Sequence, residues 1–459
     1  MVNSAVVLAA GAGTRMKSRV PKVLHEVCGK SMIKRVVEEV KASNINDITV
    51  VIGNGWEDVK KCINDLDVSF VFQEKQLGTG HAVQMAEEKI HDEGNVVILC
   101  GDMPLIRRDT LHSLMGFHEN SQADITVLTA NVERPFGYGR IVKGLNGELI
   151  KIVEEKDADE DQRKINEINS GIYCFRSELL KKHLCELGRH NTQGEYYLTD
   201  LIEIGVKNGY IVKTFDLISS EEILGVNSRK QLAEAETIMR KRIVEKHMDQ
   251  GVTFINPEHS YIDSDVFIGM DTIIYPGVTL KGNTVIGKDC IIGDNSKIVD
   301  STIEDSVEIQ NTIIINSLVK KETTIGPFAY LRPGSHIGEK VKIGDFVEIK
   351  NSVIGDGTKA SHLAYVGDAQ VGKNVNIGCG VVFVNYNGKE KQKVKVEDEA
   401  FIGSNVNLVA PVKVNKRGFV AAGTTVTLEV PEGALCIGRE KQKHIKEWVD
   451  RKKLKENKK

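Results

Sequence analysis

The arrangement of apolar and polar residues divides the chain into two parts with different periods. In the first part, up to about residue 227, short apolar runs alternate with segments whose apolar residues recur every three or four positions. The runs are AVVLAA, ITVVIG, VSFVFQ, NVVILCGD and ADITVLTA, and the helical segments include MIKRVVEEVKAS and GHAVQMAEEKI. Alternating strands and helices predict an α/β domain with a mostly parallel sheet and helices on both faces.

A single helix is predicted between the two parts, over residues 228–250. Leu232, Ala235, Met239 and Ile243 fall on one of its faces, and Gly251 follows as a stop signal. We interpret this helix as a linker between a domain of residues 1–227 and a second domain of residues 251–437.

In the second part, an aliphatic residue recurs at every sixth position. The three series are Ile268, Ile274, Leu280, Ile286, Ile292 and Ile298, then Ile325, Leu331, Ile337, Ile343 and Ile349, then Val396, Ile402, Leu408, Val414, Val420 and Val426. A period of six is typical of the hexapeptide repeats of a parallel β-helix, whose aliphatic side chains point inward. Chance alternation in an ordinary β domain would not select every sixth position.

The period of six is interrupted twice. The phase slips near residues 303–324, and a polar, basic segment, VVFVNYNGKEKQKVKV, occupies residues 381–396. Loops that leave a solenoid tend to lie on its binding face, so the second segment is a candidate for ligand binding. Residues 438–459 are rich in lysine and arginine and are predicted to form a solvated basic tail.

Composition excludes several classes of function. The chain has 61 basic and 64 acidic residues and a formal net charge of −3, which argues against a general nucleic-acid-binding protein. It contains no apolar run of membrane-spanning length and no signal-peptide pattern at the N-terminus. The eight cysteines are scattered without a CxxC pair, as free thiols are in reduced proteins. We therefore expect a cytoplasmic protein with no membrane span.

A glycine-rich loop, LAAGAGTRMKSRVPK, covers residues 8–22 directly after the first predicted strand. It is not a Walker A loop, because no Gly-Lys-Ser/Thr follows the second glycine, and Met16 takes the third glycine position of the dinucleotide fingerprint. Gln73 and Asp102 also come just after predicted strands. Ligands of parallel sheets bind beyond the carboxyl ends of the strands, so the three segments should converge there.

The loop matches the L-A-A-G-x-G-T-R-M…P-K signature of sugar-phosphate nucleotidyltransferases. The family's further motifs follow in order as QLGTGHA (76–82), GDMPL (101–105), GYGR (137–140), VEEKDA (153–158) and EINSGIY (167–173). With its hexapeptide half, the whole chain resembles the bacterial bifunctional N-acetylglucosamine-1-phosphate uridylyltransferases and glucosamine-1-phosphate N-acetyltransferases. The resemblance implies a Rossmann-like α/β nucleotidyltransferase domain followed by a left-handed parallel β-helix.

Two successive reactions are implied by this resemblance. The C-terminal half would acetylate glucosamine-1-phosphate with acetyl-CoA. The N-terminal half would then transfer uridylyl from UTP to the product, giving pyrophosphate and UDP-N-acetylglucosamine, a precursor of peptidoglycan and lipopolysaccharide. The substrates would all be small molecules, and the implied assembly is a homotrimer.

In the first domain, the resemblance implies that the glycine loop cradles the triphosphate of UTP and that Arg15 and Lys22 assist catalysis. The implied contacts to UTP or the UDP-sugar are Leu8, Ala9, Ala10, Gly11, Gly13, Lys22, Gln73, Gln76, Gly78, Thr79, Gly139, Glu154, Asn169 and Asn227. Asp102 and Asn227 are the implied ligands of the Mg²⁺ that uridylyltransfer would need.

In the second domain, His362 interrupts the repeat within KASHLAYVGD, and an imidazole suits the role of a base near neutral pH. The resemblance implies that His362 is the base of acetyl transfer and that Glu348 orients the base or the amine. The implied contacts to the sugar phosphate are Arg332, Lys350, Tyr365, Asn376 and Lys391. Those to acetyl-CoA are Asn385, Tyr386, Ser404, Ala422 and Arg439.

Three alternatives remain open. The chain could be a monofunctional sugar-1-phosphate nucleotidyltransferase whose β-helix only assembles the oligomer, it could act on another sugar such as glucose-1-phosphate, or it could be a non-catalytic regulatory subunit. The polar residues that accompany His362 argue against the first alternative. The presence of Arg15, Lys22 and Asp102 together argues against the third.

Overall fold

The computed structural model describes residues 3–217 and 219–456, so the last three residues of the predicted basic tail lie outside the described part. The chain divides into two compact units, Met1–Arg242 and Ile243–Lys459. The helix predicted at 228–250 is observed at Arg229–Asp249, and the boundary between the units falls within it.

Among its described residues, the first unit contains a nine-stranded sheet, a short hairpin and seven α-helices, the last of which continues past the boundary at Arg242. The strands are β1 (Asn3–Ala9), β2 (Glu26–Val27), β3 (Lys30–Ser31), β4 (Asp47–Ile52), β5 (Ser69–Phe72), β6 (Asn95–Cys100), β7 (Ile125–Asn131), β8 (Arg140–Lys143), β9 (Leu149–Val153), β10 (Glu167–Arg176) and β11 (Val212–Asp216). The helices are α1 (Met32–Ala42), α2 (Trp56–Cys62), α3 (Thr79–Ala86), α4 (Arg108–Asn120), α5 (Ser177–His183), α6 (Asp200–Lys207) and α7 (Arg229–Asp249).

The sheet has the order β11-β7-β10-β6-β1-β4-β5, with β8 paired to β10 and β9 to β8, while β2 and β3 form the separate hairpin. Strands β6, β1, β4 and β5 are parallel, as the sequence predicts. Strand β10 is antiparallel to both β6 and β7, so the sheet is mixed. The apolar residues of β1 alternate between the cores on the two faces of the sheet, which is why the strand reads as one apolar run.

Parallel pairing brings four chain segments to one edge of this sheet. The glycine loop follows β1, Gly53 follows β4, Gln73 follows β5, and Asp102 comes two residues after β6. Because these strands run in the same direction, their carboxyl ends meet at this edge. The predicted convergence of the loop, Gln73 and Asp102 is confirmed.

The second unit is a solenoid of three parallel sheets in which each strand up to Asn407–Val409 pairs with the strand three positions later, and Phe419–Val420 pairs with Leu435–Cys436, two positions later. The first sheet contains Thr253–Phe254, Ile273–Ile274, Ile291–Ile292, Glu308–Ile309, Thr324–Ile325, Lys342–Asp345, Lys359–His362, Asn376–Ile377, Phe401–Ile402, Phe419–Val420 and Leu435–Cys436. The second contains Tyr261–Ile262, Thr279–Lys281, Lys297–Val299, Ile313–Ile315, Tyr330–Leu331, Glu348–Lys350, Tyr365–Gly367, Val382–Val384, Asn407–Val409 and Thr425–Val426. The third contains Phe267–Ile268, Val285–Ile286, Thr302–Ile303, Leu318–Val319, His336–Ile337, Val353–Ile354, Ala369–Val371, Val394–Val396 and Val412–Val414. A helix, α8 (Trp448–Glu456), follows.

The β-helix predicted from the period of six is confirmed, because every aliphatic residue of the three series is 3% exposed or less. The phase slip near 303–324 does not interrupt the solenoid. Ile303, Ile309, Ile314 and Val319 continue the inward column in steps of five or six residues. The segment within 381–396 leaves the solenoid after Val384 and forms a loop in which Tyr386 and Lys391 make an antiparallel bridge.

No helix in the described ranges is both long enough and apolar enough to cross a membrane.

Candidate functional site

The carboxyl edge of the first unit's sheet encloses a cavity of about 400 Å³. The predicted residues that line it are Leu8, Ala9, Ala10, Gly11, Gly13, Lys22, Gln73, Gln76, Gly78, Thr79 and Asp102. Ala12, Thr14, Val23, Ala82, Cys100 and Glu195 also line it and were missed by the sequence analysis. Burial raises the pKa of the Cys100 thiol to about 12, so this cysteine is an inert part of the wall.

The two predicted glycines of the loop serve different purposes. Gly13 has φ +61°, and a Cβ atom there would lie 2.7 Å from Cβ of Lys22, so both its conformation and its close packing require glycine. A Cβ atom at Gly11 would meet no protein atom within 4 Å. The absence of a side chain at Gly11 therefore leaves room in the cavity, where a backbone N–H can reach a ligand.

Lys22 joins three segments of the chain at the cavity. Its ammonium nitrogen donates hydrogen bonds to the Asp102 carboxylate and, over 3.0 Å, to Oδ1 of Asn227. The side chains of Lys22 and Asp102 are only 14% and 12% exposed. The two predicted metal ligands therefore converge on one cation, although Asn227 does not itself line the cavity.

Gln73 and Thr79 are held in place on another wall of the cavity. Gln73 is 3% exposed, and its Nε2 lies 3.3 Å from the carbonyl oxygen of Gly78 and 2.9 Å from Nδ1 of His81. The Thr79 hydroxyl accepts a hydrogen bond of 3.2 Å from the N–H of Leu198. With its amide nitrogen engaged, Gln73 keeps its amide oxygen as an acceptor for a ligand N–H.

Gly139, Glu154 and Asn169 form a separate group, which we call the Glu154 group. A Cβ atom on Gly139 would lie 3.4 Å from Cβ of Asn169 and 3.5 Å from Oε1 of Glu154, so the three predicted residues are in contact. Burial raises the pKa of Glu154, the nearby carboxylates Asp157 and Asp200 raise it further, and a hydrogen bond from Thr199 opposes them. None of the three residues of the group lines the 400 Å³ cavity.

Arg15 is exposed on a short 3₁₀ helix, Thr14–Met16, and does not line the cavity. The next residue, Met16, is 1% exposed and belongs to a small apolar core, the Met16 cluster, with Val27, Met32, Leu105, Val226 and Ala235. Arg229, the first residue of α7, donates a 3.3 Å hydrogen bond from Nε to the Met16 carbonyl. Helix α7 therefore anchors the glycine loop, a role that its sequence does not reveal.

In the solenoid, His362 is exposed, and its Nδ1 lies 2.7 Å from Oδ1 of Asp345. Glu348, which the sequence analysis proposed to orient the base or the amine, pairs with Arg332 over 2.8 Å. The carboxylate beside the histidine is thus Asp345, and a role of Glu348 toward the amine remains a prediction. Asp345 is the register partner of His362 on the preceding coil, 17 residues earlier, so a count of three six-residue repeats would have pointed to Gly344 instead.

Three cations lie close together beside the second sheet: Lys350 on one of its strands, Arg332 just after the strand Tyr330–Leu331, and Lys391 in the loop that follows Val384. The Lys350 ammonium lowers the pKa of Lys391, and Arg332 lowers it further, whereas Asp368 raises it. Lys350 lies 3.5 Å from the Asp368 carboxylate, and Arg332 pairs with Glu348, so three positive charges meet two negative ones. Because like charges held close together repel and one positive charge is left unbalanced, this cation group is suited to bind an anion.

The polar residues predicted around the base lie in three places. Asn385 is buried, and its Nδ2 donates to Asp368 and lies 3.4 Å from the Tyr365 hydroxyl, next to the cation group. Asn376 is on the first sheet, in register with Lys359 and Phe401. Tyr386 lies in the loop, where its hydroxyl donates to the carbonyl of Gly388 over 2.9 Å.

Ser404, Ala422 and Arg439 form a column on successive coils. The N–H of Gly423 donates to the carbonyl of Ser404 over 2.9 Å, and Nη1 of Arg439 lies 3.5 Å from the carbonyl of Ala422. Ser404 and Ala422 are exposed beside Gly403, where a Cβ atom would lie 2.7 Å from the Ala422 nitrogen. The structure therefore brings the three residues together on the surface.

Within the described ranges, no group of three or more His, Cys, Asp or Glu side chains could hold a metal ion. The Asp102–Asn227 pair falls outside that definition because it has one carboxylate and one amide. Its two oxygen atoms already surround a cation, the Lys22 ammonium. Hard oxygen donors of this kind fit Mg²⁺, which keeps water or phosphate oxygens at its other positions.

Three family descriptions match parts of the chain. The MobA-like NTP transferase domain matches residues 5–184, which lie in the first unit. The bacterial transferase hexapeptide, as six repeats, matches residues 265–300, and the GMPPB C-terminal domain matches residues 313–417. The last two matches both lie in the solenoid.

Curated proteins called bifunctional protein GlmU match nearly the whole chain. The protein of Clostridioides difficile strain 630 is 54% identical over 453 residues, which cover 99% of this chain and 98% of that protein. The protein of Alkaliphilus oremlandii strain OhILAs is 56% identical over 450 residues, 98% of each chain. That of Alkaliphilus metalliredigens strain QYMF is 52% identical over 448 residues, again 98% of each chain. The similarity therefore extends over both units.

Proposed function

This chain belongs to the family of bifunctional GlmU proteins, and we propose that its two units catalyse two successive steps in the synthesis of UDP-N-acetylglucosamine. The solenoid acetylates glucosamine-1-phosphate with acetyl-CoA. The sheet unit transfers uridylyl from UTP to N-acetylglucosamine-1-phosphate and releases pyrophosphate. The main support is the cation group on the solenoid, because a module used only for assembly has no need of an anion site.

In uridylyltransfer, a phosphate oxygen of the sugar phosphate attacks the α-phosphorus of UTP, and the bond to pyrophosphate breaks. The protein's task is to align the reactants and to neutralise charge. Backbone N–H groups at Gly11 and Gly13 approach the triphosphate, and Lys22 and Arg15 pair with the leaving pyrophosphate. The buried amide of Gln73, together with Gln76, suits the N–H and carbonyl groups of uracil.

Asp102 and Asn227 would hold Mg²⁺ at the first site. When bound, Mg²⁺ would neutralise phosphate charge during the transfer. In this proposal Lys22, which lies between the two ligands, pairs with phosphate oxygens once UTP is in the cavity. Lys22 thus has two sets of partners, the oxygens of Asp102 and Asn227 or those of the nucleotide.

The Glu154 group is proposed to bind the sugar. N-acetylglucosamine presents hydroxyl groups and an amide. The Glu154 carboxylate and the Asn169 amide can form hydrogen bonds with these groups, and Gly139, which has no Cβ atom, lets the sugar approach the backbone closely. Burial has already removed much of the water around the Glu154 carboxylate. A hydrogen bond from a sugar hydroxyl would therefore stabilise the carboxylate without the cost of removing that water.

In acetyl transfer, the amine nitrogen of glucosamine-1-phosphate attacks the thioester carbonyl of acetyl-CoA. His362 accepts the amine proton as the C–N bond forms, the C–S bond breaks, and the proton passes to the sulfur of CoA. Arg332, Lys350 and Lys391 hold the sugar phosphate. The Ser404–Ala422–Arg439 column is proposed to contact acetyl-CoA, together with Asn385 and Tyr386, and Tyr365 and Asn376 are proposed to contact the sugar.

We further propose a homotrimer in the cytoplasm. Two stacked pairs of exposed aromatic side chains lie on the solenoid surface, Phe328 with Phe346 and Phe401 with Phe419, and a second copy of the chain could cover them. The eight cysteines are all free, in keeping with a reducing compartment. Sedimentation analysis of the purified protein tests the assembly.

A coupled assay tests the proposed function. The full-length protein is supplied with glucosamine-1-phosphate, acetyl-CoA, UTP and Mg²⁺, and we expect free CoA and UDP-N-acetylglucosamine to appear. A parallel assay with N-acetylglucosamine-1-phosphate and no acetyl-CoA measures the second step alone. Product in the second assay but none in the first would favour the monofunctional alternative. Better turnover of glucose-1-phosphate would favour the alternative substrate.

A further inference from the structure

Asp345 and His362 occupy equivalent positions on neighbouring coils. The strands Lys342–Asp345 and Lys359–His362 are parallel, and Asp345 is the register partner of His362. Each residue ends its strand and precedes a corner residue with positive φ, Phe346 at +58° and Leu363 at +36°. The two side chains therefore leave the same corner of the solenoid, one above the other.

The backbone fixes this pairing tightly. The N–H of Leu363 donates to the carbonyl of Asp345 over 2.8 Å. A Cβ atom on Gly344 would lie only 1.8 Å from the carbonyl oxygen of Ser361, so the two coils approach closely just before the pair. The 2.7 Å contact between the carboxylate and the imidazole is thus built into the register of the strands.

The carboxylate determines which imidazole nitrogen carries the proton. The hydrogen bond to His362 lowers the pKa of Asp345, so its carboxylate is ionised at neutral pH and can only accept. The nitrogen that faces it, Nδ1, must then carry the hydrogen. The other nitrogen, Nε2, is left with a free lone pair, as a base requires.

A contribution to the stability of the fold does not explain why His362 and Asp345 are paired. The side chains of His362 and Asp345 are 63% and 39% exposed, and solvent-exposed pairs contribute little to the free energy of unfolding. Replacement of Asp345 should therefore leave the solenoid folded, which makes its role accessible to experiment.

We propose that Asp345, one coil before His362 and 2.7 Å from its Nδ1, is a positioning residue that holds the imidazole in the tautomer with a free Nε2. The inference rests on the proposed acetyl transfer. Asp345 does not touch the substrate. It orients the ring and fixes the nitrogen that takes the amine proton when the C–N bond forms.

The test compares Asp345→Ala and Asp345→Asn in the full-length protein. We expect Asp345→Ala to lower kcat of acetyl transfer about 10–100-fold, below the full value of a general base, with little change in KM. Asp345→Asn retains an oxygen acceptor and should recover most of the lost rate. Asp356→Ala is the matched control, because Asp356 is equally exposed and pairs with Lys373 over 2.8 Å on the same solenoid.

Nitrogen NMR of ¹⁵N-histidine-labelled full-length protein reads the tautomer directly, with the His362 signals assigned from their loss in His362→Ala. We expect protonated Nδ1 in the wild type and in Asp345→Asn, and a shift toward protonated Nε2 in Asp345→Ala. An unchanged tautomer in folded Asp345→Ala, or an unchanged kcat, would overturn the inference. A wild-type protein without any acetyl transfer would instead refute the proposed function.

Discussion

The ammonium nitrogen of Lys22 lies 3.0 Å from the amide oxygen of Asn227, a residue 205 positions later in the chain. The same ammonium is bound by the carboxylate of Asp102. A lysine from the glycine loop thus occupies the point between two oxygen atoms that could serve a divalent cation. This arrangement makes the dependence on metal the sharpest difference between the two proposed sites.

Removal of the metal should separate the two reactions. Excess EDTA is expected to abolish formation of UDP-N-acetylglucosamine, while free CoA continues to appear from acetyl-CoA and glucosamine-1-phosphate. Asp102→Ala should reduce uridylyltransfer at least about 100-fold without affecting acetyl transfer, because it removes one ligand and the main partner of Lys22. Asp109→Ala, at an exposed aspartate of α4, is the control. Loss of both reactions in folded protein with EDTA would reveal a metal in the solenoid.

Helix α7 should contribute to the stability of the first unit. Its residue Ala235 is fully buried in the Met16 cluster, and Leu232, Ile238 and Met239 pack against that cluster. Glu236 accepts a 2.7 Å hydrogen bond from the N–H of Cys28. A chain truncated after residue 249 keeps these contacts, whereas one truncated after residue 228 loses them.

We expect the chain of residues 1–249 to fold and to catalyse uridylyltransfer alone. The chain of residues 1–228 should be less stable by about 3 kcal/mol, because the apolar cover of the cluster is removed. Chemical denaturation measures the difference. Equal stability of the two truncated chains would show that α7 is only a linker, as its sequence suggested.

His362→Ala should lower acetyl transfer about 10²–10⁴-fold, which is the usual contribution of a general base. Uridylyltransfer should not change, since its residues lie in the other unit. His336→Ala is a suitable control, because His336 is an exposed histidine on the third sheet of the same solenoid. Near wild-type acetyl transfer in His362→Ala would exclude this histidine from the mechanism.

The cation group should govern affinity for the sugar phosphate. Lys391→Met is expected to raise KM for glucosamine-1-phosphate about 10-fold and to change kcat little, because the charge acts on binding in the ground state as in the transition state. Lys389→Met, which removes an exposed charge from the same loop, is the control. Equal effects of the two substitutions would indicate general electrostatic attraction in place of a specific phosphate contact.

Acid should destabilise the first unit through His118. Burial lowers the pKa of this histidine from 6.5 to about 4, with a further contribution from Arg176. Between these values the unfolded chain binds a proton that the folded chain does not. The stabilisation is therefore complete above pH 6.5 and is lost as the pH falls toward 4.

The expected slope is about 1.4 kcal/mol per pH unit for one proton. Unfolding measured between pH 7 and pH 4 should show a smaller slope in His118→Gln than in the wild type. His112→Gln, an exposed histidine on the same helix, should leave the slope unchanged. An identical pH dependence in all three proteins would contradict the assignment.

The sequence alone determined the fold class of each unit, through the two periods of its apolar residues, and much of the first site. The period of six predicted every inward residue of the three series because a solenoid repeats one local environment, so that a local pattern carries the tertiary structure. The residues around the glycine loop were predictable as a group because they directly follow parallel strands, whose ends must meet. In both cases, contacts between residues far apart in the chain follow from patterns that can be recognised within short segments of the sequence.

Other relationships depended on the tertiary structure. The antiparallel strand β10 and the packing of α7 on Met16 join segments far apart in the chain, and no local pattern encodes such pairings. Asp345, and not Glu348, lies beside His362 because the coil that separates Asp345 from His362 is 17 residues long. Because a change of one residue in that length moves a side chain to another position on the solenoid, only the folded coils could decide which carboxylate meets the imidazole.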